Sequence, residues 1–243
     1  MADWSSYFAR MEGAPISVAV DLAYRDRAPV EALPSAYTVA VALRRPDEHG
    51  MTGEDEYRAL QTIEDELSKA LGAAGIIEVG RVTGRGMRTF HYYGPSIPNV
   101  APLVDDVMNF HAEYKYRALA ADDPSWSIYT SYLFPDEHQL AFANDMKALQ
   151  ALIEAGDDFE RTRPIEHTIT FDDPEKRDIF ARAVADHGYQ IAVEEEPVKA
   201  VRASRIDTID PFKITEMRTA LTTLAEEFGG FYSGWATVVQ KSA

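Results

Sequence analysis

The sequence predicts an α+β protein built as two tandem ferredoxin-like (split βαβ) domains, each an antiparallel sheet with helices on one face. Three observations carry that reading. Apolar residues alternate at period 2 or recur at helical spacing in the order β-α-β-β-α-β from residue 36 onward, and in the same order again from residue 165. Gly, Pro and Asp punctuate the boundaries between these segments. A length of 243 residues suits two domains of roughly 100–150 residues. The domains are placed at 1–135 and 136–243.

Past a short lead containing Trp4, Tyr7 and Phe8, the residues Ile16, Val18, Val20 and Leu22 alternate with Ser17, Ala19 and Asp21, which predicts one extra strand ahead of the repeat. Tyr37, Val39, Val41 and Leu43 predict the next strand. The stripe Tyr57, Leu60, Ile63, Leu67 and Leu71 predicts a helix, with Thr52 and the acidic residues behind it at the start and Gly72 at the stop. Ile76–Val82 and Met87–Tyr93 read as a hairpin turned by Thr83-Gly84-Arg85-Gly86, where glycine supplies the positive φ of a tight turn. A helix over about 99–117 carries Leu103, Val107, Phe110 and Tyr114. Trp126, Ile128, Thr130, Tyr132 and Phe134 then alternate as a strand ending at Pro135.

A connecting helix is expected at roughly 136–155 on Leu140, Leu149, Leu152 and Ile153. Ile165, His167, Ile169 and Phe171 alternate with Glu166, Thr168 and Thr170 as a strand, and a helix over 174–187 buries Ile179, Phe180, Ala183 and Val184. Tyr189, Ile191 and Val193 form the next strand, Glu194-Glu195-Glu196 before Pro197 reads as a solvated hairpin tip, and residues 198–206 return as the partner strand. A helix from about 211 carries Ile214, Met217, Leu221, Leu224 and Phe228, and a last strand runs from Phe231 to Val239.

Forty acidic residues against 24 Lys and Arg give a formal net charge of -16. That balance argues against direct nucleic-acid binding, which needs clustered cations on a phosphate backbone. The absence of cysteine removes thiol nucleophiles, disulfide frameworks, Cys-based zinc sites and iron–sulfur clusters. No secretory leader pattern opens the chain and no run approaches 18 apolar residues, so a cytoplasmic protein with no membrane partner is expected.

The six histidines show no His-Glu-x-x-His spacing, so no metal is expected. Gly80, Gly84 and Gly86 match neither a dinucleotide nor a phosphate loop, so no cofactor is implied. His167 falls in phase with Ile165 and Ile169 and so faces the helix side of its strand, where a core histidine donating to backbone is the expected state; Glu166 points the other way. The pairs Asp105/Asp106, Asp157/Asp158 and Asp172/Asp173 are read as structural, with Asp172 or Asp173 capping a helix that opens on Pro174. Aromatics at Trp126, Tyr129, Tyr132 and Phe134, and at Phe231, Tyr232 and Trp235, must in part lie on the sheet face away from the helices. That face is free to join the domains, to form a homo-oligomer, or to receive a partner.

About residues 136–240 resemble the regulator of ribonuclease activity B family. The resemblance rests on Leu152-Ile153-Glu154-Ala155-Gly156-Asp157-Asp158, Ile165-Glu166-His167 with Phe171-Asp172-Asp173, Ala183 to Tyr189, and Leu221 to Phe228 followed by Tyr232-Ser233-Gly234-Trp235-Ala236-Thr237. The family's closing motif reads Tyr-Asp-Gly-Trp-Gly/Glu-Thr, so Ser233 stands where the family has Asp. The stretch from Trp4 to about Pro135 is similar to domain-of-unknown-function family 695, on its early Trp, the Gly84-x-Gly86 hairpin with Phe90 and Tyr92-Tyr93, and Trp126-x-Ile128-Tyr129. The first resemblance implies a small acidic protein that inhibits ribonuclease E by binding it, without catalysis of its own. Partner-binding residues are then expected at Glu166, His167, Tyr232, Ser233, Gly234 and Trp235, on the first and last strands of the second domain, one strand position apart. The competing expectations are a small-molecule-binding or hydrolytic protein with a cleft between its sheets, and a structural or dimerising module.

Overall fold

The computed structural model describes residues 2–194 and 199–241, so Glu195, Glu196 and Pro197 of the expected hairpin tip lie outside the described residues. The chain divides into two compact units, Met1–Ala143 and Asn144–Ala243.

The first unit contains β1 (Trp4–Met11), β2 (Ala14–Asp21), β3 (Ser35–Ala42), α1 (Glu54–Gly72), β4 (Ile77–Gly84), β5 (Met87–Gly94), α2 (Ala101–Met108) and β6 (Tyr116–Asp122). Its sheet runs in the order β1-β2-β4-β5-β3-β6, every pairing antiparallel. The last four of these strands with α1 and α2 are one split βαβ set, and the β1–β2 hairpin extends it at the β4 edge. α1 and α2 cover one face: Leu60, Ile63, Leu67 and Leu71 from α1 and Val104, Val107 and Met108 from α2 pack on Tyr37, Val39, Val41, Phe90 and Tyr92. Thr52 does not cap α1, whose N-cap is Gly53 with no side-chain bond; Glu56 in the first turn instead ties the helix to the segment after β3, its carboxylate accepting the backbone N–H groups of Arg44 and Arg45. The β4–β5 turn places Arg85 at φ 57° and Gly86 at φ 76°, the left-handed pair a two-residue hairpin requires.

Three expectations for this unit are corrected. The lead is itself a strand, β1, paired residue for residue with β2. The helix expected over 99–117 ends at Met108 with a single further 3₁₀ turn to His111, and the fourth strand of the set is Tyr116–Asp122. That strand is an exposed edge rich in alanine, and pairing with β3 overrides its helical propensity. The segment 126–134 is no strand; Ile128–Leu133 forms a π-helical turn. Trp126, Tyr129 and Leu133, three and four apart, are fully buried on the sheet face opposite α1 and α2. The aromatic alternation there was genuine, but the helical spacing within it is the one the core uses. Asp123 anchors this turn by accepting from Tyr93 Oη at 2.5 Å, Ser125 Oγ, and the backbone N–H of Ser127 and Ile128. Burial pushes its carboxyl up, but those donors outweigh burial and hold it well below the usual range. Trp126 stacks on Tyr93 at 4.2 Å between ring centres and donates Nε1–H to the Leu33 carbonyl. The aromatics of 126–134 therefore close the face that the sequence left open.

The second unit contains most of α3 (Glu137–Glu154), then β7 (Arg163–Phe171), α4 (Pro174–Ala185), β8 (Gln190–Glu194), β9 (Ala200–Asp207), α5 (Pro211–Glu227) and β10 (Gly230–Thr237). The sheet order β10-β7-β9-β8 is that of a ferredoxin-like fold. Asp173 caps α4 by accepting from Glu175 N, and Asp210 caps α5 by accepting from Phe212 N and Lys213 N; Pro174 and Pro211 follow in the first turns. Asp157 is structural, as expected: it forms a fully buried ion pair with Arg163, and Gln240 N donates to it at 2.8 Å. Ile169, Phe180, Val201, Ala203, Leu221 and Ala225 centre the core beneath α4 and α5.

Candidate functional site

The six residues expected at the site lie on β7 and β10, which pair directly. Tyr232 stands opposite Ile169, Gly234 opposite Thr168 and Trp235 opposite His167, so Ser233 is an extra residue with no partner of its own. This is a β-bulge, and Gly234 carries it at φ 139°, a conformation other residues reach only with strain. The bulge changes the phase of the strand. Tyr232 and Trp235, three residues apart, both turn to the helix-covered side with His167 and Ile169, whereas strict alternation would put them on opposite faces.

On that side, each motif residue finds a polar partner. His167, with no exposed surface, is hydrogen-bonded through Nδ1 to Tyr232 Oη at 2.8 Å, not to backbone as the sequence suggested. Burial, followed by the charge of Arg205, lowers its pKa to about 4, so the ring is neutral at pH 7. Its Nε2 is buried without a hydrogen bond. Burial first, then the charge of Asp145, raises the Tyr232 hydroxyl far above its ordinary value. Trp235 donates Nε1–H to Asp145 Oδ1 at 2.9 Å, and Arg218 Nε donates to Asp145 Oδ2 at 2.7 Å. Asp145 and Arg218 are both buried. Tyr189 lies edge-on to His167 at 6.1 Å, and Arg205 covers the other ring, that of Tyr189, at 5.4 Å.

Asp145, Arg218 and Arg205 escaped the sequence reading, and Tyr189 entered it as a strand residue and in the family resemblance, not as part of the site. Asp145 lies four residues before Leu149 and seven before Leu152, and Arg218 four after Ile214 and three before Leu221. A charge in phase with an apolar stripe was the available signal for both. Tyr189 lies just before β8 and Arg205 near the end of β9, where alternation says little.

Glu166 and Ser233 belong to the opposite face, which no helix among the described residues of the unit covers. Glu166 accepts from Arg202 Nη1 at 3.2 Å, and Arg202 Nη2 reaches Glu194 at 2.8 Å, an ion-pair ladder across β7, β9 and β8. The Ser233 hydroxyl lies 3.4 Å from that of Thr170. Phe231 is 71% exposed beside them, and Ile206 and Val238 are 57% and 60% exposed toward the other end of the face. The candidate site is thus two layers of the same strands: an internal polar cluster that sets β10 on β7, and an open face with a charged centre and apolar ends. Chemically, the cluster pairs its histidine with a tyrosine instead of a nucleophilic hydroxyl. Among the described residues, no group of three His, Asp or Glu side chains is arranged as metal ligands. No helix among the described residues is long and apolar enough to cross a membrane.

Comparison with known proteins assigns the two halves separately. Residues 2–134 match the family described as "Family of unknown function (DUF695)", and residues 143–237 match the family described as "Regulator of ribonuclease activity B". No curated protein matches the chain. Among solved structures, an unknown protein from Galdieria sulphuraria is similar at 14% identity and a TM-score of 0.22, over 84% of this chain and 99% of its own. A structure described as a glycine cleavage system transcriptional repressor is similar at 10% identity and a TM-score of 0.23, over 85% of this chain and 98% of its own.

Proposed function

Starting from a chain that belongs to the DUF695 family of unknown function and carries a regulator of ribonuclease activity B domain at residues 143–237, we propose that it is a non-catalytic regulator that binds a ribonuclease E-type enzyme through the open face of its second sheet. The observation that carries this is the face itself. An antiparallel sheet shielded on one side only exposes Phe231, Ile206 and Val238 around the Glu166–Arg202–Glu194 ladder, and apolar anchors around a charged centre are what protein interfaces use. Of the six residues expected to bind, Glu166 and Ser233 are assigned contact with the partner. His167, Tyr232, Gly234 and Trp235 are assigned the task of holding β10 in the phase that presents Ser233 and Phe231 outward. The net charge of -16 favours a partner with basic segments, which speeds association and fixes orientation more than it sets final affinity.

The test is titration of the purified chain into a ribonuclease E cleavage assay, with binding followed in parallel over a salt series. Expected are slowed RNA cleavage, binding that weakens as salt rises, and loss of both in the Glu166→Lys/Phe231→Ser variant with its circular dichroism unchanged. Absence of binding by the wild type, or a variant that binds as well as wild type, overturns the proposal.

A further inference from the structure

The second unit holds a half-open cleft of about 540 Å³ on the helix-covered side of its sheet, away from the open face. Val184 of α4 and Met217, Leu221 and Leu224 of α5 form its apolar wall. On α5, Glu216, Ala220, Thr223 and Glu227 recur at i, i+4, i+7 and i+11, which makes them a second row along the same groove. Eleven residues of helix place the two carboxylates about 16 Å apart along the axis.

The charges at this cleft are unequally satisfied. Arg205 is matched: it pairs with Asp207 at 3.1 Å and lies over the Tyr189 ring. His187 donates Nδ1–H to the Ala183 carbonyl at 2.8 Å, so its Nε2 remains an acceptor in the neutral ring. Glu216 and Glu227 are exposed, and neither has a hydrogen-bond or ion-pair partner among the described residues. Two unmatched carboxylates at opposite ends of an apolar trough are complementary to a chain of methylenes with a cation at each end.

We propose that this α4–α5 cleft binds a linear long-chain diammonium compound, its two ends on Glu216 and Glu227 and its methylenes on Val184, Met217, Leu221 and Leu224. Ligand length is the selecting property. A short diamine reaches one carboxylate, whereas a long one reaches both and removes more apolar surface from water. Because the whole chain is acidic, attraction of any cation is expected, and the proposal rests on selectivity above that background.

The probe is 1,12-diaminododecane, titrated calorimetrically into the full chain at an ionic strength of about 0.15 M, with 1,4-diaminobutane and magnesium as comparators. Expected is 1:1 binding at least about tenfold tighter than for the short diamine, and weakened about tenfold by Glu216→Gln/Glu227→Gln. Both substitutions lie on the exposed face of α5 and leave the circular dichroism unchanged. Leu224→Ser weakens the long diamine and not the short one. Equal affinity for long and short diamines, full affinity in the double glutamine variant, or no binding of the long diamine by wild type overturns the proposal.

Discussion

Replacing Asp145 by Ala tests whether the internal cluster holds the second unit together. The Asp145 and Arg218 side chains are 3% and 8% exposed, and the carboxylate serves two donors at once, Arg218 Nε and Trp235 Nε1. Its removal leaves a buried guanidinium without a counter-charge, which costs about 3–5 kcal/mol. It also leaves the Trp235 N–H unpaired, worth about 1 kcal/mol and not strictly additive with the first. A loss of about 4 kcal/mol is a large part of the roughly 5–15 kcal/mol that folds a domain. Urea unfolding of the full chain, followed through the Trp235 indole N–H resonance, reads the second unit alone because the other tryptophans, Trp4 and Trp126, lie in the first. Asp145→Leu combined with Arg218→Met removes both charges together and recovers most of what either single substitution loses. A single-variant cost below about 1 kcal/mol, or a double variant whose loss is the sum of the singles, refutes the reasoning.

Other variants test neighbouring features. Gly234→Ala meets no atom within 4 Å but keeps φ at 139°, so it costs about 1–2 kcal/mol through backbone strain alone, read by the same unfolding assay. His167 has its folded pKa lowered to about 4 against an ordinary 6.5, so the stability of the second unit is complete above pH 6.5 and falls as pH drops toward 4, by about 3 kcal/mol at most. His167→Phe flattens that slope, while His91, lowered to about 4 by burial in the first unit, keeps its own. Glu78 behaves in the opposite sense. Burial and then the neighbouring Glu64 charge push it up to about 8, so the first unit loses stability as pH rises from 4.5 through 8, and Glu78→Gln removes that loss. Unfolding midpoints of the two units across pH 4–9 check both signs.

Much of the fold was legible because period carried it. The second unit emerged element by element, since Ile165, His167, Ile169 and Phe171 alternate cleanly and α5 has an unbroken stripe from Ile214 to Leu224. The first unit was misread where two periods coexist. Trp126 to Phe134 alternates as a strand, yet Trp126, Tyr129 and Leu133 bury as a helical turn, and the edge strand Tyr116–Asp122 looks like the tail of a helix because edge strands bury too little to alternate. At the site, the sequence placed His167 on the helix side of its strand and Glu166 on the other, as the structure does, but the directions along β10 were not legible. A bulge at Ser233 is invisible to any period-2 count, and it is what sends Tyr232 and Trp235 inward together.

That geometry also separates what the closing motif does for folding from what it offers a partner. In Tyr232-Ser233-Gly234-Trp235, Tyr232 is hydrogen-bonded to His167, Gly234 permits the bulge and Trp235 is hydrogen-bonded to Asp145, so three of four positions are tied to the interior. Ser233 alone is directed outward, beside Thr170 and the exposed Phe231. It is also the position at which this chain departs from the Tyr-Asp-Gly-Trp pattern of the family it resembles. A change of charge there alters the open face and leaves the fold intact, because no buried group depends on the Ser233 hydroxyl. Ser233→Asp is therefore expected to change unfolding stability by no more than about 0.5 kcal/mol. The same substitution adds a negative charge a few ångströms from Phe231, which raises the association rate with a basic partner at low salt and loses that advantage as salt rises. Measured association rates across a salt series decide the point: a stability change above about 1 kcal/mol ties Ser233 to the fold after all, and an unchanged rate with a partner that does bind removes this position from the interface.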